Sequence, residues 1–296
     1  MTASVTVLIP SLDSPLIDVV VAAVASQEAI EQVREVLVIG RDAPGLLREI
    51  ALPGGGRVRL LDTGAPVSEP VARNRGLREV DGGLVIFLDS DCVPRPGWLR
   101  AHVAAHAQRP GRIVGGAVDV SRDRGWALAY NLSLFWAFLD SSAPGPRPAL
   151  PTLNLSFARA LAERVGAFDE TLPRATDVDW TLRARRLGAP LHFDPAPVVE
   201  HRHARHDLAA VWRDCAGSGF HARRIRLRSG GLLAAPALLR APLLVRALSP
   251  LIATWASARV AFLAPLAFRG RWGALPRFWL TKLAWAWGAG RPETRR

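Results

Sequence analysis

Cysteine is scarce in this sequence, and its scarcity excludes some classes of protein. The 296-residue chain has two cysteines, Cys92 and Cys215, which lie far apart. This usage excludes a small domain held by a disulfide framework and is typical of a protein that folds in a reducing cytoplasm. The Cys and His spacing of a zinc site is also missing. A chain of this length can instead be stabilised by a sizeable hydrophobic core.

Acidic residues are almost absent from the last quarter of the chain. Residues 1–220 carry 24 basic and 25 acidic residues, whereas residues 221–296 carry 14 basic residues and one acidic residue, Glu293. The net charge of +12 therefore belongs to a tail that is also apolar and contains several tryptophans. Apolar surface is of no use against a phosphate backbone, so we expect no nucleic-acid partner and favour an anionic membrane surface.

Two kinds of apolar segment are also missing. No basic residue precedes the first apolar run, so we predict a first strand and no signal peptide. In the tail, the stretch 232–268 is interrupted by four prolines and three arginines, although residues 247–268 are just long enough to span a membrane. Because a central arginine costs on the order of 3 kcal/mol on insertion, we predict helices that lie at the membrane surface. A helical subdomain packed on the rest of the chain is the alternative.

The main feature that the sequence does have is a buried strand ending in two carboxylates. Residues 84–88 are all apolar, which is typical of a strand buried on both faces, and Asp89-Ser90-Asp91 follows. In open α/β sheets, ligands bind at the carboxyl ends of the strands, and paired carboxylates there suit Mg²⁺ or Mn²⁺. A polar turn that simply ends the strand is the alternative.

The elements around this strand predict an α/β fold. In the first ninety residues we expect strands over 4–10, 35–40, 58–61 and 84–88, and helices over 16–27, 45–50 and 70–80. This alternation predicts a parallel sheet with right-handed crossovers. Further along we expect helices over 98–106, 126–139, 159–165 and 176–187, and strands over 113–120, 152–157, 190–194 and 198–200. Gly217-Ser218-Gly219 predicts a hinge before the tail.

Seven segments, taken in order, resemble the glycosyltransferases of family 2. They are VTVLIPSLD, EVLVIG, PVARNRGL, LVIFLDSDCVP, NLSFARALAERVGAFDETL, TDVDWTLRARRLG and HFDPAPVVEHRH. The resemblance implies a GT-A fold, Rossmann-like with a mostly parallel central sheet flanked by helices, followed by an apolar, basic helical extension. It implies a catalytic domain over 1–206, with a nucleotide-sugar half (1–93) and an acceptor half (94–206), and a membrane-associated tail over 207–296. The implied activity is sugar transfer from a nucleotide-diphosphate sugar with inversion at the anomeric carbon.

The resemblance also implies a divalent metal, Mg²⁺ or Mn²⁺. Asp91 would bind the metal, Asp89 would face the ribose or the metal through water, and Ser90 lies between them in the same turn. His201 lies where some GT-A enzymes supply a third metal ligand. A solvated basic loop is an equal alternative for His201.

The nucleotide contacts implied by the resemblance lie on two elements. They are Pro10, Ser11 and Asp13 in the loop after the first strand, and Arg73 and Asn74 on the helix before the metal strand. A family aspartate that contacts the base aligns with Gly40, so either the nearby Asp42 replaces it or the main chain reads the base. A surface face of the helix is the alternative for its two residues.

The resemblance makes Asp177 the catalytic base. A carboxylate at the start of a helix can be held rigidly near an acceptor hydroxyl, although aspartate is also a common helix cap. The family has two successive acids where this chain has Thr176-Asp177. Asp179 therefore stays a second candidate.

These features predict an enzyme on the cytoplasmic side of the membrane with a lipid-linked or cell-envelope glycan acceptor. The Gln-x-x-Arg-Trp pattern of processive polysaccharide synthases is missing, which favours addition of a single sugar. Transfer to a polyprenyl phosphate is one alternative. The other is a catalytically silent relative that binds nucleotide sugar or scaffolds a glycan assembly complex.

Overall fold

A computed structural model describes residues 4–293 of the chain, so the ends of the two predicted domains, residues 1–3 and 294–296, lie outside it. The chain divides into two compact units. One comprises the chain up to Asp119 together with Ala143–Arg202, and the other comprises Val120–Ser142 and the chain from His203 onward. The contacts thus group the segment 120–142 with the tail, whereas the predicted division at residue 206 stays a prediction.

The described residues form nine strands and eleven α-helices. The elements before residue 140 are β1 (Val5–Leu12), α1 (Ile17–Ala25), β2 (Val33–Arg41), β3 (Arg57–Asp62), α2 (Glu69–Arg78), β4 (Leu84–Leu88), β5 (Cys92–Pro94), α3 (Trp98–Gln108), β6 (Ile113–Asp119) and α4 (Gly125–Phe135). Those after it are β7 (Gly145–Pro146), β8 (Asn154–Ala158), α5 (Arg159–Val165), α6 (Thr176–Arg186), β9 (Leu191–His201), α7 (Leu208–Arg228), α8 (Pro242–Ala247), α9 (Ser249–Leu263), α10 (Pro265–Phe268) and α11 (Leu275–Ala289).

One sheet organises the first unit, in the order β3-β2-β1-β4-β8-β6-β9-β5, and β7 pairs with β9. The strands β3, β2, β1 and β4 are parallel, which confirms the α/β prediction for the nucleotide half. Beyond β4 the sheet is mixed, because β8 is antiparallel to both β4 and β6 whereas β6 and β9 are parallel. All five residues of β4 are buried, as its apolar run predicts. The carboxyl ends of β1, β2 and β4 therefore meet at one edge.

Two sequence predictions are wrong in the first unit. The segment 45–50 is a loop and not a helix, because the Asp42 carboxylate accepts hydrogen bonds from the main-chain amides of Leu46 (3.2 Å) and Leu47 (2.7 Å). The end of this loop joins β3 through the amide of Val58, which donates to the carbonyl of Ile50 at 2.8 Å. The two short strands expected over 190–194 and 198–200 are one continuous strand, β9.

The predicted hinge in the second unit is also wrong. Helix α7 runs through Gly217-Ser218-Gly219 without interruption. A Cβ atom added at Gly219 would overlap the carbonyl oxygen of Trp285 on α11, and one added at Gly288 would overlap the carbonyl oxygen of Ala216 on α7. Glycine therefore serves the close packing of two helices here, and not a bend.

Among residues 4–293, none of the helices combines the length and the apolar character that crossing a membrane requires.

Candidate active site

The turn that carries Asp89, Ser90 and Asp91 lies between β4 and β5 and is held from three sides. The amide of Asp89 donates to the carbonyl of Leu153 at 3.2 Å, and the amide of Cys92 donates back to the carbonyl of Asp89 at 3.0 Å. From the loop after β1, the hydroxyl of Ser14 donates to the carbonyl of Ser90 at 2.8 Å. These bonds fix the turn at the carboxyl ends of β1 and β4, where ligands of open α/β sheets bind.

Strand pairing brings His201 to Asp91. Antiparallel β5 and β9 place Cys92 opposite His201, and the imidazole Nε2 lies 3.4 Å from the Asp91 carboxylate. The main-chain amide of Arg202 also donates to the carbonyl of Asp91 at 2.7 Å. One ligand atom each from Asp91, Cys92 and His201 lie within 4.8 Å of one another. The sequence-based pairing of an aspartate with a distant histidine is thus present in the geometry.

The donor chemistry of this cluster suits a hard or borderline cation. Burial, with the nearby carboxylates of Asp91 and Asp89, raises the pKa of the Cys92 thiol well above its ordinary value. The thiol is therefore protonated as long as no cation is bound. The carboxylate oxygen and the imidazole nitrogen are both accepted by Mn²⁺, while Mg²⁺ favours the oxygen.

Arg73, on α2, is buried beneath this turn. Its guanidinium carbon lies 5.7 Å from the ring centroids of both Phe87 and Phe168. Its Nη2 donates to Asp89 Oδ1 at 3.0 Å and pairs with the Glu69 carboxylate one helical turn earlier. The Nε and Nη1 atoms are buried without a hydrogen-bond partner among the described residues. Such unsatisfied donors are rare in folded proteins.

The carboxylates around Arg73 influence one another. Burial, opposed by Arg73 but assisted by Glu69 and Asp91, raises the pKa of Asp89 to about 7. Burial and the Glu69 charge also raise the pKa of Asp177, again against the effect of Arg73. Burial alone would lower the pKa of Arg73, yet Glu69, Asp89 and Asp177 together raise it. The positive charge of Arg73 thus interacts with both Asp89 and the candidate base, Asp177.

The two candidate bases differ in what they contact. Asp177 lies in the first turn of α6, and its Oδ1 accepts a hydrogen bond from the next main-chain amide, that of Val178, at 2.8 Å. Asp179 instead pairs with Arg183 at 2.9 Å, and Arg183 donates to two main-chain carbonyls in the 165–167 segment, each at 2.7 Å. Asp179 therefore belongs to a contact that fastens α6 to the preceding loop. This difference favours Asp177 as the base.

Asn74 holds the loop that follows α5. Its Nδ2 donates to the carbonyl of Phe168 at 2.9 Å and to Glu170 Oε1 at 2.8 Å, and its Oδ1 accepts from the amide of Phe168 at 2.8 Å. These three bonds occupy the amide group, and they join α2 to the loop that precedes α6. The nucleotide contact implied for Asn74 stays a prediction, and its observed contacts are those of a residue that positions this loop.

The loop after β1 is fixed by an ion pair. Asp13 has a positive φ of 52°, and its carboxylate accepts from Arg41 Nε at 3.1 and 2.9 Å and from the amide of Ala43 at 2.8 Å. The hydrogen bonds from Arg41 and Ala43 lower the pKa of Asp13. The carboxylates of Asp13 and Asp42 thus both accept hydrogen bonds from nearby residues of the protein. Their nucleotide contacts stay predictions.

Gly40 cannot carry the side chain that the family has at this position. Parallel pairing places Gly40 beside Ser11, just after Pro10 pairs with Ile39. Gly40 has a φ of 139°, and an added Cβ would overlap the carbonyl oxygen of Ser11. The hydroxyl of Ser11 is buried without a hydrogen-bond partner among the described residues. The close approach of these two strand ends therefore excludes an acidic side chain at residue 40.

Glu69 is a member of the site that the sequence analysis missed. It precedes Arg73 by four residues on a helix, a spacing that brings a glutamate and an arginine together. The spacing was a usable signal. The spacing could not show that Arg73 is buried. A buried positive charge needs a nearby negative charge, and Glu69 supplies one.

A family comparison shows which family the chain belongs to. The model of glycosyl transferase family 2 matches residues 6–164, more than half of the chain. The chain belongs to glycosyl transferase family 2. Of the seven segments that resembled the family, the first four lie within the matched residues, to within one residue, and the fifth lies partly within them. The last two, over 176–188 and 192–203, lie beyond the match.

Curated relatives of this family member cover only part of its length. Glycosyltransferase AglE of Haloferax volcanii is 29% identical over 174 residues, which are 58% of this chain and 57% of AglE. A pre-mycofactocin glycosyltransferase of Mycobacterium tuberculosis is 35% identical over 150 residues, which are 45% of this chain and 29% of that protein. The chain thus spans little more than half of the first relative and less than a third of the second.

Solved structures share the GT-A fold. The mannosyltransferase PcManGT from Pyrobaculum calidifontis, in complex with GDP-Man and Mn²⁺, aligns with a TM-score of 0.63 at 22% identity over 98% of this chain and 86% of that chain. TarS 1–349 of S. aureus aligns with a TM-score of 0.53 at 16% identity over 94% and 90% of the two chains. At these identities the similarity concerns the fold, and it confirms the predicted GT-A class.

Proposed function

We propose that this family 2 member is a metal-dependent, inverting glycosyltransferase that uses a nucleotide-diphosphate sugar. Asp91 and His201 hold the divalent cation, Asp89 faces the donor, and Asp177 is the base. The observation that carries the proposal is the 3.4 Å approach of His201 Nε2 to the Asp91 carboxylate at the carboxyl end of β4. PcManGT, which shares the fold, was solved with GDP-Man and Mn²⁺, and this supports a metal and a nucleotide sugar in general.

The residues present fit a divalent cation. The Asp91 carboxylate and the His201 imidazole offer an oxygen and a nitrogen ligand in a partly buried cluster, beside the thiol of Cys92. When bound, such a cation neutralises the diphosphate that leaves with the nucleotide. The unsatisfied guanidinium nitrogens of Arg73 supply further positive charge beneath the same turn.

Asp177 accepts the proton of the acceptor. In the transfer step the acceptor oxygen forms a bond to the anomeric carbon, the bond from that carbon to the diphosphate oxygen breaks, and the hydroxyl proton moves to the Asp177 carboxylate. Burial raises the pKa of Asp177, which makes the carboxylate a stronger base, while the positive charge of Arg73 keeps it ionised. The amide of Val178 orients the carboxylate through its 2.8 Å hydrogen bond.

We further propose a lipid-linked or cell-envelope glycan acceptor and a position on the cytoplasmic side of the membrane. The support is the composition of the tail, which has 14 basic residues, one acidic residue and abundant apolar residues after residue 220. Such a surface would hold the enzyme where lipid-linked acceptors are found.

A donor panel tests the reaction class. The full chain is incubated with Mn²⁺ and nucleotide sugars that include GDP-mannose and UDP-N-acetylglucosamine, and donor binding is measured by calorimetry alongside release of the nucleotide. We expect one donor to bind, chelation of the metal to abolish turnover, and Asp91→Ala to weaken metal-dependent donor binding by roughly a hundredfold or more. Asp18→Ala, on the exposed side of α1, is the matched control.

Two outcomes contradict the proposal in different ways. If no donor binds in the presence of metal, the chain is not a nucleotide-sugar enzyme. If a donor binds but neither hydrolysis nor transfer occurs with any glycan or polyprenyl phosphate acceptor, the silent relative that scaffolds an assembly becomes the better description.

A further inference from the structure

Helix α9 in the second unit turns its large apolar side chains outward. Its buried residues are Ser249, Ala253, Ser257 and Val260. Leu251, Trp255 and Phe262 are instead 68%, 64% and 84% exposed. Helices on a water-facing surface normally bury the large apolar residues and expose the polar ones. The arrangement in α9 is the reverse.

The three exposed residues lie on one side of the helix. At 3.6 residues per turn, spacings of four and eleven residues bring Leu251, Trp255 and Phe262 within about 40° of one another. We call these three residues the outer face of α9. The neighbouring helices add exposed leucines, Leu243 and Leu244 on α8 and Leu266 on α10. An exposed apolar surface of this extent is uncommon unless something covers it.

The charged residues in the sequence around α9 have one sign. Between residues 237 and 277 the sequence contains six arginines and neither aspartate nor glutamate. One of them, the exposed Arg259, has its guanidinium carbon 5.6 Å from the ring centroid of Trp255 on the same helix. Arginine beside tryptophan at the edge of an apolar surface fits the boundary between lipid head groups and acyl chains.

This charge pattern decides between two occupants. A second copy of the chain would set one arginine-rich surface against another, and the repulsion would oppose the contact. An anionic lipid surface attracts the same arginines, by about 1 kcal/mol for each residue close to the surface.

We propose that the outer face of α9 docks on an anionic phospholipid bilayer. Leu251, Trp255 and Phe262 enter the boundary between head groups and acyl chains, and Arg259 contacts the lipid phosphates. The helix lies along the surface, because its other side packs within the second unit, chiefly against α11, through mostly small residues. This inference deepens the membrane partner in the proposed function, and its test needs neither donor sugar nor metal.

Vesicle binding of the full chain tests the proposal. The protein is sedimented with phosphatidylcholine vesicles that contain about 30% phosphatidylglycerol, and with vesicles of phosphatidylcholine alone. We expect binding to the anionic vesicles and weakening at high salt. The triple variant Leu251→Ser, Trp255→Ser, Phe262→Ser should lose at least about tenfold in partitioning. Leu187→Ser, which changes an exposed leucine in the first unit, should bind like the unchanged chain.

A labelling experiment keeps the test valid even if the triple variant folds poorly. Both native cysteines are buried, so a single exposed cysteine introduced by Phe262→Cys can be labelled with an environment-sensitive dye. We expect its emission to shift to shorter wavelength when anionic vesicles are added. The same dye at Leu187→Cys should not respond.

Three results would overturn the proposal. They are equal binding to vesicles with and without phosphatidylglycerol, a dye at residue 262 that does not respond while the protein sediments with vesicles, and a dimer in ultracentrifugation that the triple variant dissociates. The last result would assign the outer face to a second copy. Because Asp91→Ala should bind vesicles normally, failure of membrane docking and failure of sugar transfer can be told apart.

Discussion

Strand β4 and helix α9 use similar apolar residues in opposite ways. All five residues of β4 are buried, and they place the carboxylates of Asp89 and Asp91 at the edge of the sheet. In α9 the side chains that are buried are small, and leucine, tryptophan and phenylalanine are exposed. The apolar residues of β4 thus stabilise the fold, whereas those of the outer face contribute little to it. An apolar segment can therefore be assigned to a core only when it is also known which of its side chains are buried.

The largest effect expected from this comparison concerns the first unit. Asp177→Asn should reduce transfer by on the order of a thousandfold, because the acceptor hydroxyl loses its proton acceptor. Donor binding, measured by calorimetry, should persist, because the donor is proposed to bind at the turn that carries Asp89 and Asp91 and not at Asp177. The matched variant Asp179→Asn should lose less than about tenfold, because Asp179 pairs with Arg183. If Asp179→Asn is the inactive variant and Asp177→Asn turns over normally, the two roles must be exchanged.

Two phenylalanines of the tail sharpen the contrast between the buried and exposed sides of the second unit. Phe278→Ala should lower the free energy of unfolding by about 3 kcal/mol or more, because the side chain is fully buried on α11 and meets the ring of Phe268 edge-on at 5.3 Å. Phe262→Ala removes the same side chain from an 84% exposed position and should change stability by less than about 0.5 kcal/mol. Urea denaturation of both variants provides the measurement. Equal losses would mean that the outer face is part of the core.

The smallest expected effect is a pH dependence of stability in the first unit. His102 is buried, and its Nε2 and Nδ1 lie 2.8 Å from Asn154 Oδ1 and Ser156 Oγ. Burial lowers the pKa of His102 to about 3, and that of His106, which also contacts Ser156, to about 4. Below the ordinary histidine pKa of about 6.5, the unfolded chain binds protons that the folded chain does not. Stability is therefore full above this pH and falls as the pH drops.

At pH 5 the loss from His102 alone should be on the order of 2 kcal/mol. Urea denaturation at pH 7 and at pH 5 measures it. His102→Gln, which does not titrate, should be less sensitive to pH over this interval, and His206→Gln, at an exposed position, is the control. If the His102→Gln variant is as acid-sensitive as the unchanged chain, His102 is not responsible.

Local patterns predicted much of the nucleotide half. Apolar runs identified β1, β2, β3 and β4, because buried parallel strands leave that signal in a few consecutive residues. The turn at Asp89 and the start of α6 at Thr176 followed from the same local signals. The pairing of His201 with Asp91 came from the family resemblance. It depends on a ladder between β5 and β9, which no short segment shows.

The wrong predictions share one physical cause, since each depended on a distant or unexpected partner. The expected helix after Asp42 is a loop because the Asp42 carboxylate accepts hydrogen bonds from the main-chain amides of Leu46 and Leu47. In a continuing helix these amides would donate to main-chain carbonyls. The two short strands expected over 190–194 and 198–200 are one strand because both segments pair with the distant β6. The glycines at 217 and 219 looked like a hinge because the packing role of Gly219 is revealed only by the neighbouring helix α11.

That helix contact has a consequence for how the protein can evolve. At Gly219 and Gly288 the backbones of α7 and α11 approach so closely that neither position leaves room for a side chain. The exposed side chains of α9 take no part in this contact between α7 and α11. Substitutions on the outer face of α9 can therefore accumulate with little loss of folding stability. The two glycines themselves have no such freedom.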